Sequence, residues 1–237
     1  MVRNSPLTAV IPARAGSKGI PGKNLYVFCG QTLLERAIGF SKASDRIDDV
    51  YVTTDDPEMQ KIALSAGAKA PFLRPVQLAK DDTPTIYALQ HLLSGVAIDK
   101  GYVVLLQVTS PLRVCSDLDE ICEKLEANPE ADGVVSVVRH IEPHPEKLVQ
   151  VRDGYLNSYL GGNPSVPRQT LSEVYALNGA FYVTSVKIIM KEGTLWGSKT
   201  IPHIMPRNRS VNIDCDIDLV LLEALTANDH VVPETYT

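Results

Sequence analysis

The sequence has no long hydrophobic run. No stretch of the 237-residue chain approaches the roughly 20 consecutive apolar residues that a helix needs to cross a bilayer. The short apolar run near the start leads directly into Arg14, too early for the apolar core of a secretory signal peptide. We therefore expect a cytoplasmic protein that has no membrane as a partner.

Cysteines and metal-binding histidine spacings are also scarce. The four cysteines are scattered without a CxxC pair, and the five histidines show no spacing such as HExxH. In a chain of this length without an export signal, such cysteines predict free thiols rather than a disulfide framework. The histidine spacing offers no zinc site, and no Ser-His-Asp set can be assembled from motif context.

Positive charge is not in excess, since the formal net charge is -5. A mildly acidic protein has no overall attraction for nucleic acid, so an anionic substrate must be held by a local basic cluster. The chain contains no internal repeats and no low-complexity segments. Its length suits one large α/β domain, and we predict a single domain over residues 1–237.

Segments with strand-like and helix-like patterns alternate along the chain. Strands are predicted at residues 7–12, 50–53, 102–106 and 134–138. Helices are predicted at residues 32–40, from Pro57 to a stop at Gly67, and from a Ser116 cap to about Ala127. This order predicts an α/β fold with a doubly wound, mostly parallel sheet. Such sheets bind ligands at the carboxyl ends of their strands, here in the loops after Ile11, Thr53, Leu106 and Ile213.

The alternation stops between residues 139 and 173, which we interpret as a segment inserted into the domain. It contains four prolines, and Asp153-Gly154 separates two β-rich runs at residues 148–151 and 155–159. An Asp-Gly pair in this setting predicts an ordered hairpin, although a floppy surface loop is the alternative. Its apolar residues exceed what a free hairpin can hide, so we predict a homodimer formed through the hairpin.

Glycines and cations are concentrated after the first strand, in the sequence IPARAGSKGIPGKN at residues 11–24. Its three glycines, Gly16, Gly19 and Gly22, allow tight turns that bring backbone N–H groups close to a ligand. The cations are Arg14, Lys18 and Lys23. The combination favours a triphosphate over a solvated basic turn, although the spacing matches neither a Walker A loop nor GxGxxG.

Polar residues also end the third predicted strand, in LLQVTSPLR at residues 105–113. Gln107 and Ser110 follow the buried run, and buried polar groups need partners. Gln107 is therefore predicted to contact a base or sugar, or alternatively to cap the loop. Arg74 is predicted to end a short strand near the same rim, and Asn178-Gly179 to enter a strand over residues 180–184.

Carboxylates cluster near the carboxyl end, in VNIDCDID at residues 211–218. On a strand, alternation would place Asn212, Asp214 and Asp216 on one face. Oxygen ligands without nearby His or Cys favour Mg²⁺, or Mn²⁺, as the cofactor, and we predict Asp214 and Asp216 as metal ligands. The alternative is that Asp216 or Asp218 caps the helix that follows.

These motifs resemble one known family, the CMP-sialic acid synthetases, also called acylneuraminate cytidylyltransferases. The resemblance runs in order along nearly the whole chain through IPARAGSKGIPGKN, TTDD, FLRP, LLQVTSPLR, HPEK, PRQ, NGAFYV and NIDCDIDL. It implies a Rossmann-like nucleotidyltransferase fold and a homodimer. The implied reaction is attack by the anomeric hydroxyl of a nine-carbon keto-sugar acid on the α-phosphorus of CTP, which releases pyrophosphate.

The resemblance also implies roles for single residues. Arg14, Ser17, Lys18 and Lys23 would hold the triphosphate, Asn24 and Arg74 would contact the cytidine, and Thr85 would lie near the ribose. Gln107 would lie under the sugar acid, while Lys147 and Arg168 would reach the sugar-acid site of a partner subunit. Asp214 would bind Mg²⁺. We take Arg14, Lys23 and Asp214 as the catalytic candidates, and add Ser110 and Asn178 to the candidates for substrate binding.

Two positions depart from the family pattern. Asn212 stands where the family often has a first aspartate, and Ala176 stands where some members have an arginine. The missing guanidinium changes recognition of the sugar acid and leaves sialic, legionaminic and pseudaminic acids as candidates. The alternatives are an enzyme for the eight-carbon acid KDO, or an inactive nucleotide-binding module.

Overall fold

A six-stranded mixed sheet organises the protein. The computed structural model describes residues 4–16 and 19–227 together with residues 2, 231, 233, 234 and 236. The described residues contain ten strands, which are β1 (Leu7–Pro12), β2 (Val27–Phe28), β3 (Gln31–Thr32), β4 (Asp49–Thr53), β5 (Tyr102–Leu105), β6 (Gly133–His140), β7 (Val149–Arg152), β8 (Tyr155–Ser158), β9 (Val174–Ser185) and β10 (Thr200–Met205).

The sheet order is β10-β6-β9-β5-β1-β4. The pairs of β1 with β4 and β5, and of β6 with β10, are parallel, whereas β9 runs antiparallel to both β5 and β6. The prediction of a mostly parallel α/β sheet is confirmed. The twelve-residue β9 is longer than the predicted strand, because its first half pairs with the end of β6 beyond the level that β5 reaches.

Helices cover both faces of the sheet. They are α1 (Leu33–Ala43), α2 (Pro57–Ser65), α3 (Thr85–Gly95), α4 (Cys115–Ala127), α5 (Val186–Glu192) and α6 (Asp216–Ala227). Residues of α1, α2 and α4 share one apolar cluster with the alternate sheet residues Ile11 and Val104, whereas α3 and α5 pack with Val10 and Leu105. This two-sided burial explains why the strand sequences are continuously apolar.

Three local predictions are wrong. Helix α4 begins at Cys115 rather than after a Ser116 cap, because the Val114 N–H donates to the Asp117 carboxylate instead. Residues 211–215 form no strand, since Asp218 Oδ2 accepts the backbone N–H groups of Asp214 and Cys215. Arg74 lies outside any strand as well, and its N–H makes a single bond to the Thr54 carbonyl.

The hairpin predicted around Asp153-Gly154 is present as β7 and β8, paired from Val149–Ser158 to Arg152–Tyr155. Asp153 and Gly154 have φ angles of 52° and 82°, as a two-residue turn of this type requires. Its role in dimerisation and the bounds 139–173 of the insertion stay predictions. The four cysteines are free, as predicted. Among the described residues, no helix has the length and apolarity to cross a membrane.

Candidate active site

A cleft of about 370 Å³ opens at the carboxyl ends of β1 and β5. Seven of the predicted site residues line it: Arg14, Lys23, Asn24, Arg74, Thr85, Gln107 and Asp214. Ser17 and Lys18 lie outside the described residues. The cleft therefore brings together residues up to 200 positions apart in sequence, at the edge of the sheet where ligands bind in this fold.

Lys23 joins the glycine-rich loop to the aspartate-rich loop. Its Nζ donates to the Ile213 carbonyl at 2.7 Å and lies 3.2 Å from Asp214 Oδ1. The two loops touch so closely that a Cβ on Gly19 would lie 2.0 Å from the Asp214 carbonyl oxygen. A positive and a negative group thus face the cleft side by side, and any side chain at position 19 would push them apart.

Asn24 supports the shape of the glycine-rich loop. Its side chain is buried, and Nδ2 donates to the Arg14 carbonyl at 2.8 Å. The Arg14 guanidinium forms an ion pair with Asp81 at 2.6 Å across the cleft mouth. Asp81 and its neighbour Lys80 also line the cleft, although the sequence analysis does not single them out.

Arg74 offers buried donors to the cleft. Its Nη2 forms a long ion pair with Asp55 Oδ1 at 3.5 Å, and its Nε has no hydrogen-bond partner among the described residues. Burial lowers the pKa of Arg74, and the nearby Asp55 carboxylate opposes that shift. Asp55 Oδ1 also accepts the Ala15 N–H, so Asp55 links Arg74 to the glycine-rich loop. Asp55 is a site residue that we did not predict, although the TTDD motif contains it.

Gln107, Gly179 and Asn212 meet on the other wall. A Cβ on Gly179 would lie 2.3 Å from Gln107 Oε1, 3.1 Å from Ser110 Oγ and 3.3 Å from Asn212 Oδ1. The φ of Gly179 is 74°, which also favours glycine. Three side-chain oxygens thus converge where the backbone of β9 has no side chain.

Ser110 and Asn178 lie behind this wall. The Ser110 hydroxyl donates to the Asn178 carbonyl at 3.0 Å, and Asn178 Nδ2 donates to Ser210 Oγ at 3.0 Å. Asn178 Oδ1 accepts from Ser136 at 2.6 Å. Both residues are buried and do not line the cleft. Their contact with substrate stays a prediction, and the observed bonds give them a supporting role.

Arg113 supports the backbone at Gln107. Its guanidinium is buried between the rings of Phe40 and Phe181, at 5.7 and 5.8 Å from their centroids, and donates to the Gln107 carbonyl. Burial lowers the pKa of Arg113 to about 10, so it remains charged at neutral pH. The arginine of the SPLR motif therefore acts from the core rather than from the cleft.

Asp214 and Asn212 supply side-chain oxygens to the cleft beside Lys23. Asn212 Nδ2 donates to Asp214 Oδ2 at 2.6 Å, while Asn212 Oδ1 is buried and has no hydrogen-bond partner among the described residues. One carboxylate and one orphaned amide oxygen fit a cation that takes its other ligands from water and phosphate, as Mg²⁺ does. Asp216 begins α6 and does not line the cleft.

The described residues contain no cluster of three or more His, Cys, Asp or Glu side chains suited to hold a metal alone. Asp218 accepts two backbone N–H groups at the start of α6, as the alternative of a helix cap requires. Burial raises the pKa of Asp218, but those bonds outweigh it and the pKa falls below its ordinary value.

Lys147 and Arg168 lie in the segment between β6 and β9, away from the cleft. Arg168 lines a separate hollow of about 220 Å³ and lies 3.5 Å from Glu142. Lys147 belongs to a short turn that begins at Pro145. Neither residue lines the main cleft of its own chain.

Known proteins resemble the chain in sequence. A cytidylyltransferase family model matches residues 8–159. The N-acylneuraminate cytidylyltransferase of Streptococcus agalactiae is 31% identical over 214 residues, which cover 89% of this chain and 51% of that protein. The CMP-N,N'-diacetyllegionaminic acid synthase of Legionella pneumophila is 30% identical over 92% of this chain and 95% of its own. The pseudaminic acid cytidylyltransferase of Campylobacter jejuni is 27% identical over 93% and 96%.

The chain spans about half the length of the Streptococcus agalactiae relative but nearly all of the other two. Among solved structures, the CMP:2-keto-3-deoxy-manno-octonic acid synthetase complexed with CTP has a TM-score of 0.71 and 17% identity, over 95% of this chain and 100% of that one. A 4-diphosphocytidyl-2C-methyl-D-erythritol synthase has a TM-score of 0.64 and 12% identity, over 94% and 99%. At these identities the two structures show the shared fold alone.

Proposed function

The chain belongs to the cytidylyltransferase family, and from that premise we propose that it transfers a cytidylyl group from CTP to a nine-carbon 2-keto sugar acid. The observation that carries the proposal is the cleft in which Lys23, Arg14 and Asp214 converge with Arg74 and Gln107. Cations on one wall and convergent side-chain oxygens on the other suit a triphosphate beside a polyhydroxylated acid.

The choice of acid rests on the relatives. Those described above are named for N-acylneuraminic, diacetyllegionaminic and pseudaminic acids, which are all nine-carbon keto-sugar acids. The structural neighbour named for an eight-carbon acid is 17% identical, so it supports the fold and not the substrate. We therefore favour a sialic, legionaminic or pseudaminic acid as the acceptor.

The reaction exchanges one phosphorus–oxygen bond for another. The anomeric hydroxyl oxygen of the acid attacks the α-phosphorus of CTP, its proton passes to solvent water, and the bond from the α-phosphorus to the oxygen that bridges to the β-phosphate breaks to release pyrophosphate. Arg14 and Lys23 offset the negative charge that grows on the leaving pyrophosphate. Gln107 and Arg74 hold the two substrates so that the attacking oxygen and the α-phosphorus meet.

Asp214, with Asn212 beside it, would hold Mg²⁺ or Mn²⁺. When bound there, the ion would supply positive charge that offsets the negative charge of the phosphates. Since Mg²⁺ usually takes one or two protein carboxylates, the single Asp214 carboxylate is sufficient and Asn212 does not argue against activity. Asp214 also holds Lys23 at 3.2 Å, so it orients a cation of the phosphate loop in its own right.

A second copy of the chain would complete the acid-binding side. Val151, Tyr155 and Leu156 on the hairpin are 71%, 76% and 72% exposed, which is unusual for a solvated hairpin. Burial of the hairpin against a partner in a two-fold dimer would bring Lys147 and Arg168 near the partner's cleft. Because the reaction consumes CTP, we place the protein in the cytoplasm.

The function is tested by incubating the purified protein with CTP and Mg²⁺ against N-acetylneuraminic, diacetyllegionaminic and pseudaminic acids and KDO. We expect a CMP-sugar and pyrophosphate with at least one nine-carbon acid, and a much lower kcat/KM with KDO. A preference for KDO, or pyrophosphate release without a CMP-sugar, would contradict the proposal. Mass spectrometry of the nucleotide products distinguishes these results.

A further inference from the structure

The loop between β10 and α6, residues 206–215, brings Asn212 and Asp214 to the cleft. It has no strand partner, so its position depends on individual contacts. The Ile213 N–H donates to the Thr109 carbonyl at 2.9 Å, and Ser210 Oγ accepts from Asn178 Nδ2. Both contacts tie the loop to the wall that carries Gln107.

An ion pair between a buried carboxylate and a partly exposed arginine holds the start of this loop. Arg209 donates from both terminal nitrogens to the two carboxylate oxygens of Asp117, with Nη2 2.9 Å from Oδ1. Asp117 lies in the first turn of α4 and is 3% exposed. A two-pronged pair of this kind fixes the orientation of the guanidinium as well as its distance. Arg209 precedes Asn212 by three residues, so the pair anchors the loop just before the part that lines the cleft.

His203 on β10 also contacts the Asp117 carboxylate. Its ring is buried, with Nε2 3.5 Å from Asp117 Oδ1 and Nδ1 3.3 Å from Lys124 Nζ. Nδ1 also lies 3.8 Å from Glu120 Oε2, so the ring faces three side chains of α4. Burial raises the pKa of Asp117, but the bonds from His203 and Arg209 outweigh it and keep that pKa below its ordinary value.

Stability alone does not explain why a charged pair lies at this place. Burying two charges costs desolvation energy, and apolar side chains of similar volume are often as stabilising. Here the pair joins α4, which directly follows the loop of Gln107 and Arg113, to the loop of Asn212 and Asp214. The two loops form adjoining walls of the cleft, so the pair, together with the bond between Ile213 and Thr109, holds them at a fixed distance.

We propose that Asp117 and Arg209 are positioning residues of the transfer reaction, which hold Asn212 and Asp214 in register with Gln107 and Lys23. Neither residue lines the cleft, and neither would touch substrate. The effect on turnover rests on the function proposed above, whereas the effect on the loop does not. Misplacement of reacting groups by about 1 Å can reduce a rate by about 100-fold, so a distant pair can have a large effect.

The test uses Asp117→Asn and Arg209→Lys in the full chain, with Asp119→Asn as the matched control. Asp119 lies on the same helix and also pairs with an arginine, Arg46, but at the surface. We expect Asp117→Asn to lower kcat by about 10- to 100-fold with a KM for CTP close to that of the unchanged protein. Arg209→Lys keeps the positive charge but cannot bond both carboxylate oxygens at once. Its kcat should therefore lie between that of Asp117→Asn and that of the unchanged protein.

Hydrogen exchange supplies the readout that does not depend on activity. Backbone amides of residues 207–215 should exchange faster in both variants, while amides of the glycine-rich loop should exchange at an unchanged rate. In the Asp119→Asn control, exchange at residues 207–215 should not change. Arg209→Lys carries the test if Asp117→Asn fails to fold. Well-folded variants with unchanged kcat, or with unchanged exchange at residues 207–215, would overturn the proposal. If no acid is a substrate for the unchanged protein, the proposed function fails and the exchange result still decides whether the pair holds the loop.

Discussion

The cleft and the inserted segment at residues 139–173 are built in different ways. In the cleft, Lys23, Asn24 and Arg74 are anchored by contacts that the same chain supplies. In the inserted segment, Tyr155 and Leu156 are exposed, and Arg168 pairs with a neighbour of the same segment, Glu142. Under the proposed function, a single chain would assemble the CTP site, whereas the site for the sugar acid would need a second chain.

The largest effect is expected from a substitution in the cleft. Asp214→Asn removes the carboxylate that faces Lys23 and the proposed metal, and should reduce kcat by on the order of 100-fold or more. Asp218→Asn is the matched control from the same loop, because Asp218 caps α6. It should cost about 1 kcal/mol of unfolding free energy or less and leave most of the activity. Chemical denaturation and steady-state kinetics measure the two effects, and an active Asp214→Asn beside an inactive, folded Asp218→Asn would reverse the assignment.

A smaller effect is expected at the cleft wall that carries Gln107. Gly179→Ala would place a Cβ 2.3 Å from Gln107 Oε1 and force alanine into a positive φ. We expect loss of about 10-fold or more in kcat/KM for the acid, because Gln107 must move. Gly30→Ala is the control, since Gly30 has a φ of 79° but no atom within 4 Å of its Cβ position. Equal losses of activity in both variants would show that backbone strain alone is responsible.

Much of the fold and of the cleft could be predicted from the sequence. The strands carry strong local patterns, so the predictions of β1, β4 and β5 are confirmed, and Arg14 and Lys23 of the glycine-rich loop line the cleft. Residues 211–215 alternate like a strand, but their backbone N–H groups are bonded by Asp218 instead of by a neighbouring strand. The alternation of side chains does not reveal which groups will satisfy the backbone.

Long-range pairing explains the features that sequence patterns did not predict. Asp117 and Arg209 are 92 residues apart, and nothing in the local pattern around either residue indicates the other. The antiparallel direction of β9 is similar, because an apolar run looks the same in either direction. Asp55 lay in a recognised motif, but its contact with Arg74 depends on how two separate loops fold together.

Charged substitutions on the hairpin test whether the sugar-acid site needs a second chain. The double variant Tyr155→Lys, Leu156→Lys should shift sedimentation from dimer to monomer and raise KM for the sugar acid by about 10-fold, because lost burial weakens association. The affinity for CTP should change little. Leu64→Lys on α2 is the control, since Leu64 is 53% exposed and lies outside the insertion. A monomer with an unchanged KM for the acid would show that one chain forms both substrate sites.

The smallest expected effect concerns the cleft mouth. Asp81→Asn weakens the ion pair that holds Arg14 at 2.6 Å, so the Arg14 guanidinium can pair with a bound triphosphate at a lower energetic cost. The KM for CTP should fall about two- to fivefold at low salt, which corresponds to the modest energy of a partly exposed ion pair. Asp82→Asn next to it is the control. A higher KM for CTP in Asp81→Asn would indicate that Asp81 helps to place Arg14 for the substrate instead of competing with it.

The most direct test of the central claim follows the phosphorus atoms of CTP. The protein is incubated with Mg²⁺, a nine-carbon acid that it accepts, and CTP labelled with ³²P at either the α or the γ position. The account predicts that the α label appears in the CMP-sugar and the γ label in pyrophosphate, in equal amounts. Recovery of the α label as free CMP, or of the γ label on the sugar acid, would contradict cytidylyl transfer.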